Sequence, residues 1–166
     1  STTPPPAVNG CAAKRGTLRD SSRKLSLILK RPSMKKKTIS SAKKKAWVWF
    51  SRYIRLRDSD EFQICKCVTC DHRGHYKTMQ AGHFIAAAQG NATRYLEDNV
   101  HAQCYRCNMN LGGNGAEYYP YMVAQYGAER VEELRRLSNT TLKISIAEFE
   151  QMEAKYKSLV EGMIDG

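Results

Sequence analysis

Two Cys-x-x-Cys turns, Cys67-Val-Thr-Cys70 and Cys104-Tyr-Arg-Cys107, constrain this chain more than any other feature. Each spacing lets both sulfurs of a tight turn point at one ion, and two such turns supply the four thiolates of a tetrahedral zinc. Such a site is closed and structural, with no open position for a substrate. Cys65 is a third sulfur beside the first turn and competes for register. Cys67 with Cys70 is preferred, because that spacing matches the second turn. Cys11 stands alone near the N-terminus and is expected to be inert. Paired C-x-x-C spacing without a signal-peptide core favours metal over cystine, and so a reducing, cytoplasmic setting.

The net charge of +11 is unevenly placed. Between Ser1 and Lys45, 13 Lys or Arg stand against the single acid Asp20, which leaves 14 basic and 15 acidic residues for the rest. Lys35-Lys36-Lys37 and Lys43-Lys44-Lys45 suit a polyanion, since each phosphate neutralised releases counterions. No run of apolar residues approaches the length of a membrane-spanning helix.

Residues 1–40 read as a basic, largely flexible tail, with one apolar group at Leu25, Leu27, Ile28 and Leu29. Residues 41–58 read as a basic amphipathic helix: Ala46, Trp47, Phe50 and Ile54 recur at helical spacing, so Trp47 and Phe50 should face inward and Lys44, Arg52 and Arg55 outward. Residues 59–116 form the cysteine-bearing core, with His83-Phe84-Ile85 expected as a short strand and the second knuckle expected to open a helix. This hairpin and helix would bury too little apolar surface to hold together without metal. Residues 117–166 are expected to be helical, with a stripe of Tyr118, Tyr121, Met122 and Tyr126 and a break at Gly127. A last helix should start at the capping box Ser145-Ile-Ala-Glu148, with Phe149, Met152, Tyr156, Leu159, Val160 and Met163 on one face. Such stripes are core or partner-facing surfaces, and no chemistry is assigned to them.

Catalytic chemistry would come from harder groups than sulfur. His83 can accept a proton near neutral pH, while Asn99 and Asn108 can orient an imidazole or offer an amide oxygen to Mg2+ or Mn2+. His101, two residues past Asn99, is a further candidate ligand. His72 and His75, with Arg73 and Lys77, are better suited to phosphate than to metal.

Together these residues resemble the HNH, or ββα-metal, endonucleases, with Asn108 in place of the last histidine. Ile54-Arg-Leu-Arg-Asp58, Ala81-Gly-His-Phe-Ile85, Asn99-Val-His-Ala-Gln-Cys104 and Cys107-Asn-Met-Asn-Leu-Gly-Gly-Asn114 resemble more narrowly the phage NinG/Rap recombination-nuclease family. The resemblance implies an α+β fold: a zinc-stapled, treble-clef-like ββα-metal core with flanking helices. It implies His83 as general base, Asn99 as the residue holding His83 and its loop, and Asn108 as ligand of a catalytic divalent ion. The implied substrate is branched DNA, such as D-loops or Holliday junctions, with Lys43, Lys44, Lys45, Arg52, Arg55, Arg73 and Lys77 on the phosphates. The chain departs from the wider pattern at Gly82, where many HNH enzymes carry a metal-binding Asp or His; Gln80, His101, Asn114 or Glu117 could fill the vacancy. Two other readings fit the residues: a zinc-dependent DNA-binding module without catalysis, and an HNH nuclease of linear duplex. Symmetric junction cleavage needs two active sites, and the apolar face of the last helix offers an interface for a homodimer.

Overall fold

A computed structural model describes residues 1–4 and 37–165 of the chain. Most of the expected tail, including Cys11 and the Leu25–Leu29 group, lies outside the described residues. From Lys37 onward the chain forms one compact unit of mixed α and β structure.

Helix α1 (Ile39–Arg57) starts earlier than its apolar pattern because Thr38 caps it: the Thr38 hydroxyl accepts from the Ser41 N–H at 3.2 Å, and the Ser41 hydroxyl receives the Thr38 N–H at 3.2 Å. Ala42, Ala46, Phe50 and Ile54, four apart, form its buried stripe. That stripe meets α4 (Ile146–Asp165), whose Tyr156 ring stands edge-on to Phe50 at 4.9 Å. The capping box of α4 forms as expected, with the Ser145 N–H donating to Glu148 Oε2 at 2.7 Å and the Glu148 N–H to Ser145 Oγ at 3.2 Å. Phe149, Tyr156 and Val160 are buried, whereas Leu159 and Met163 are exposed. The apolar face of α4 is thus spent largely within the chain.

Between these helices lie two small antiparallel sheets. Strand β1 (Ile64–Lys66) pairs with β2 (Arg73–His75), and β3 (Gln80–His83) pairs with β4 (Val100–Gln103) in the register Gly82 to His101. The end of α1 is pinned to β4 by its own last residues. Arg57 donates to the carbonyls of Glu97 at 2.8 Å and Val100 at 3.0 Å, and Asp58 receives the Ala102 N–H at 2.7 Å. Arg55, expected outward, instead turns under the sheet and donates to the carbonyls of Tyr76 at 3.1 Å and Met79 at 3.2 Å. The reason is local: that bend leaves two carbonyls without strand partners, and one guanidinium nitrogen, Nη1, donates to both.

The strand at His83 lies earlier in the chain than the expected His83–Ile85: it runs Gln80–His83, and Phe84 and Ile85 enter the following loop, the Phe84 N–H still donating to the Asn99 carbonyl at 2.8 Å. The second knuckle opens a single wide turn (Arg106–Asn110) rather than a regular helix. Helix α2 (Gly115–Tyr126) begins only after Gly112, Gly113 and Asn114, which all have positive φ, at 57°, 92° and 50°. Three consecutive left-handed residues explain the Gly-Gly-Asn run, since glycine and asparagine enter that region at least cost. Gly127 ends α2 at φ 83° and α3 (Ala128–Ser138) follows, close to the expected break. No described helix is long and apolar enough to cross a membrane.

Buried against α2, His101 forms a neutral relay. Its two ring nitrogens meet Tyr118 Oη at 2.9 Å and Tyr126 Oη at 2.8 Å, and the Tyr118 hydroxyl donates to the Gly82 carbonyl at 3.1 Å. Burial pushes the imidazole down from its ordinary 6.5 to about 4. The unfolded chain therefore binds a proton that the folded chain refuses between those values, so stability rises with pH across this window. It is fully present above pH 6.5 and falls by about 3 kcal/mol as the pH drops to 4. Urea melts across that range should show this slope, and His101→Phe should flatten it even though the variant is less stable at pH 7.

Candidate metal centre and adjoining polar site

The four knuckle sulfurs converge. Cys67, Cys70, Cys104 and Cys107 have Sγ atoms all within 4.8 Å of one another, and Cys70 and Cys104 are 3.8 Å apart. A tetrahedron of zinc–sulfur bonds of about 2.3 Å has edges of about 3.8 Å, so the Cys70–Cys104 separation matches one such edge and no pair exceeds it by more than about 1 Å, a cluster that could hold zinc. Burial pushes the Cys67 thiol up, but the Cys104 N–H at 3.3 Å and the Thr69 hydroxyl at 3.5 Å outweigh it and bring the thiol down to about 7. One sulfur of the cage is thus ready to lose its proton to a metal. Cys65 is excluded: its thiol donates to the Arg55 carbonyl at 3.0 Å, and burial pushes its pKa up to about 11. The register competition among the cysteines resolves in favour of Cys67 with Cys70.

His83 is the last residue of strand β3, paired with Val100 of β4. Its ring stacks on Trp47 of α1 at 5.0 Å between centroids and 14° between planes. Its Nε2 lies 3.1 Å from the Arg94 carbonyl, which can only accept, so Nε2 carries the proton and Nδ1 keeps its lone pair. Burial holds the pKa of His83 below its ordinary value; the bond to the Arg94 carbonyl opposes this and the nearby Arg94 charge adds to it.

Asn99 fixes the loop that supplies this carbonyl. Fully buried, it receives the Ile85 N–H at 2.9 Å and donates to the carbonyls of Ile85 at 3.1 Å and Thr93 at 3.0 Å. One side chain therefore ties both ends of the Ile85–Thr93 loop. Asn108, in the wide turn after the second knuckle, donates to Gln80 Oε1 at 2.6 Å. Asn108 and Gln80 line a cavity of about 290 Å3 with Trp47, Ser51, Arg55, Met79 and Ala81. Trp47 is thus a wall of this cavity and the stacking partner of His83.

Of the four candidates for the place of the Gly82 side chain, Gln80 is the one that meets Asn108. His101 has both ring nitrogens engaged by tyrosines. Asn114 donates to the Thr69 carbonyl at 3.1 Å, and Glu117 is exposed on α2. The space beside Gly82 belongs to a residue that sequence reasoning missed. Gln103 donates to Thr69 Oγ1 at 3.0 Å and the Gly113 carbonyl at 2.8 Å, and a Cβ on Gly82 would lie 1.9 Å from Gln103 Oε1. Gly82→Ala is therefore expected to cost about 1–3 kcal/mol. Adding Gln103→Ala should recover part of the overpacking cost, which a double-mutant cycle of urea melts would read.

The cations are spread along α1 and the β2–β3 turn. Arg52, Arg55, Tyr76 and Lys77 line a second cavity, of about 480 Å3, with no carboxylate in its wall. Arg55 is common to both cavities, so the basic trough and the Asn108 cavity adjoin. Lys44, Lys45 and Arg73 are exposed, as are His72 and Lys77, whereas Lys43 is half-buried.

Comparison with known proteins gives consistent results. The family profile described as "NinG: Bacteriophage Lambda NinG protein" matches residues 11–163. Protein ninG of Escherichia phage lambda is 29% identical over 113 residues, which is 67% of this chain and 52% of that protein. Protein ninG of Salmonella phage P22 is 27% identical over 115 residues, 68% of this chain and 53% of that protein. Protein ninG of Enterobacteria phage H19B is 32% identical over 89 residues, 52% of this chain and 41% of that protein. The matched part is at most about half the length of these relatives. No solved structure matches.

Proposed function

Because this chain belongs to the NinG family of phage proteins, we propose that it is a metal-dependent DNA endonuclease of the HNH type, hydrolysing phosphodiester bonds in branched recombination intermediates. The observation that carries this reading is the state of His83. A half-buried imidazole whose pKa is held below its ordinary value, and which donates through Nε2 to a carbonyl, presents Nδ1 as a base. The zinc-binding cysteines would be a frame, closed to substrate, from which β3, β4 and the Asn108 turn are hung.

Asn108 and Gln80 suit a hard divalent ion, since amide oxygens are ligands of the type Mg2+ and Mn2+ accept. The ion, when bound, would neutralise charge on the phosphate and on the leaving 3′-oxygen. His83 would take the proton of the attacking water. Asn99 would keep His83 and its carbonyl partner in register. Trp47 would cover one face of the imidazole and limit water there. Arg52, Arg55 and Lys77 would receive neighbouring phosphates without reading bases.

The Gln103 contact at Gly82 favours a second reading, a zinc-stapled module that binds DNA without cutting it, because no carboxylate joins Asn108 in its cavity. The two part on matched substrates. A labelled four-way junction, a D-loop and a linear duplex of the same sequence are incubated with Mg2+ or Mn2+. Nicking of the branched substrates ahead of the duplex supports the first reading. Equal nicking of all three makes this an HNH nuclease of duplex, and tight binding with no nicking favours the module.

A further inference from the structure

Among the described residues, several arginines are matched to acids. Arg57 pairs with Asp58, Arg130 with Asp98 and Glu133, and Arg135 with Glu132. Arg94 pairs with no carboxylate among the described residues, and its Nε is buried without a hydrogen-bond partner. A guanidinium stays charged at any physiological pH, so burying part of it without an anion costs free energy.

Arg94 is nevertheless held in one place. Its guanidinium carbon lies 5.1 Å from the centre of the Trp47 ring and 5.9 Å from that of Tyr95, within cation–π range of both. Trp47 is also the ring on which His83 stacks. The Arg94 carbonyl receives Nε2 of that histidine, and the neighbouring Thr93 carbonyl is tied down by Asn99. The loop that orients the imidazole therefore also delivers an unmatched positive charge beside it.

We infer that Arg94 is a further catalytic residue, the cation that grips the phosphate undergoing attack next to His83. This rests on the proposed phosphodiester hydrolysis and adds to it the group that receives the phosphate. As the water oxygen bonds to phosphorus, its proton passes to His83 Nδ1. The electron pair of the breaking P–O bond leaves with the 3′-oxygen, which takes a proton from solvent. Negative charge accumulates meanwhile on the non-bridging oxygens, where the N–H groups of a guanidinium fork serve best. Arg94 exchanges no atom in this step; its charge completes an ion pair that the protein leaves open.

The test uses the full chain and its Arg94→Gln and Arg94→Lys variants, with zinc content and circular dichroism matched to wild type. Junction affinity is measured without added divalent ion and without chelator over a range of salt, and single-turnover cleavage with Mg2+ or Mn2+. Arg94→Gln is expected to lower the slope of log affinity against log salt by about 0.9, the signature of one lost phosphate contact. It should also slow cleavage by about 10²–10³-fold. Arg94→Lys should keep the slope and recover part of the rate. An unchanged slope overturns the inference, whether or not the rate falls, because Arg94 then touches no phosphate. Should wild type cut nothing while Arg94→Gln still lowers the slope, the nuclease reading and the catalytic role of Arg94 fall, and its phosphate contact stands.

Discussion

Stripping metal from the four-cysteine cage, or replacing Cys104 with Ser, is expected to unfold the hairpins and the turn that carries Asn108. The physical ground is the size of the sheets. Strands β1 and β2 have three residues each and β3 and β4 four each, and isolated two-stranded hairpins of that length are marginal in water. Structural zinc supplies on the order of 10 kcal/mol in small sites at neutral pH, against a typical domain stability of about 5–15 kcal/mol. Chelation should therefore release zinc at one ion per chain and abolish the cooperative thermal transition of this region. Cys65→Ser is the control: its thiol is bonded to the Arg55 carbonyl and held protonated, so zinc content should not change. A protein that purifies without zinc and melts cooperatively would show that the cage is only a cluster of thiols.

Replacing His83 with Ala should lower cleavage by about 10²–10⁴-fold, the usual contribution of a positioned general base, while leaving junction affinity near that of wild type. His83 points no charge at DNA, because burial keeps it neutral, and its loss removes no phosphate contact. The pH profile follows from the same shift. A base whose pKa is depressed is already deprotonated at neutrality, so the rate should be flat above about pH 6.5. The acid limb should lie below that value and should be missing from the residual activity of the alanine variant. A rate limb centred above pH 7 would point to a different base.

Much of this arrangement was legible from residue spacing, and the failures have identifiable causes. The matched x-x intervals put four sulfurs together, and the competing register through Cys65 failed because that side chain points at a helix carbonyl instead. Helical periodicity placed α1 and the capping box placed α4, since both signals are local. Arg55 was misread as outward because periodicity says which face is polar and not which polar groups find carbonyls beneath a neighbouring bend. His101 could pass for a ligand until α2 folded Tyr118 and Tyr126 onto both of its nitrogens. Arg94 and Gln103 carried no signal at all: each matters through a partner more than ten positions away, the first through Trp47 and the second through Thr69 and Gly82. The three positive-φ residues before α2 could have been suspected from Gly112-Gly113-Asn114, which is a composition that few other backbones require.

Single-turnover nicking of one labelled four-way junction by wild type and His83→Ala, both zinc-loaded and matched in junction affinity, tests the account most directly. The expected result is product from wild type only when Mg2+ or Mn2+ is added, and at least a hundredfold less from the variant. Equal cleavage by the two proteins, or none by either despite tight binding, would contradict the assignment of His83 as a general base.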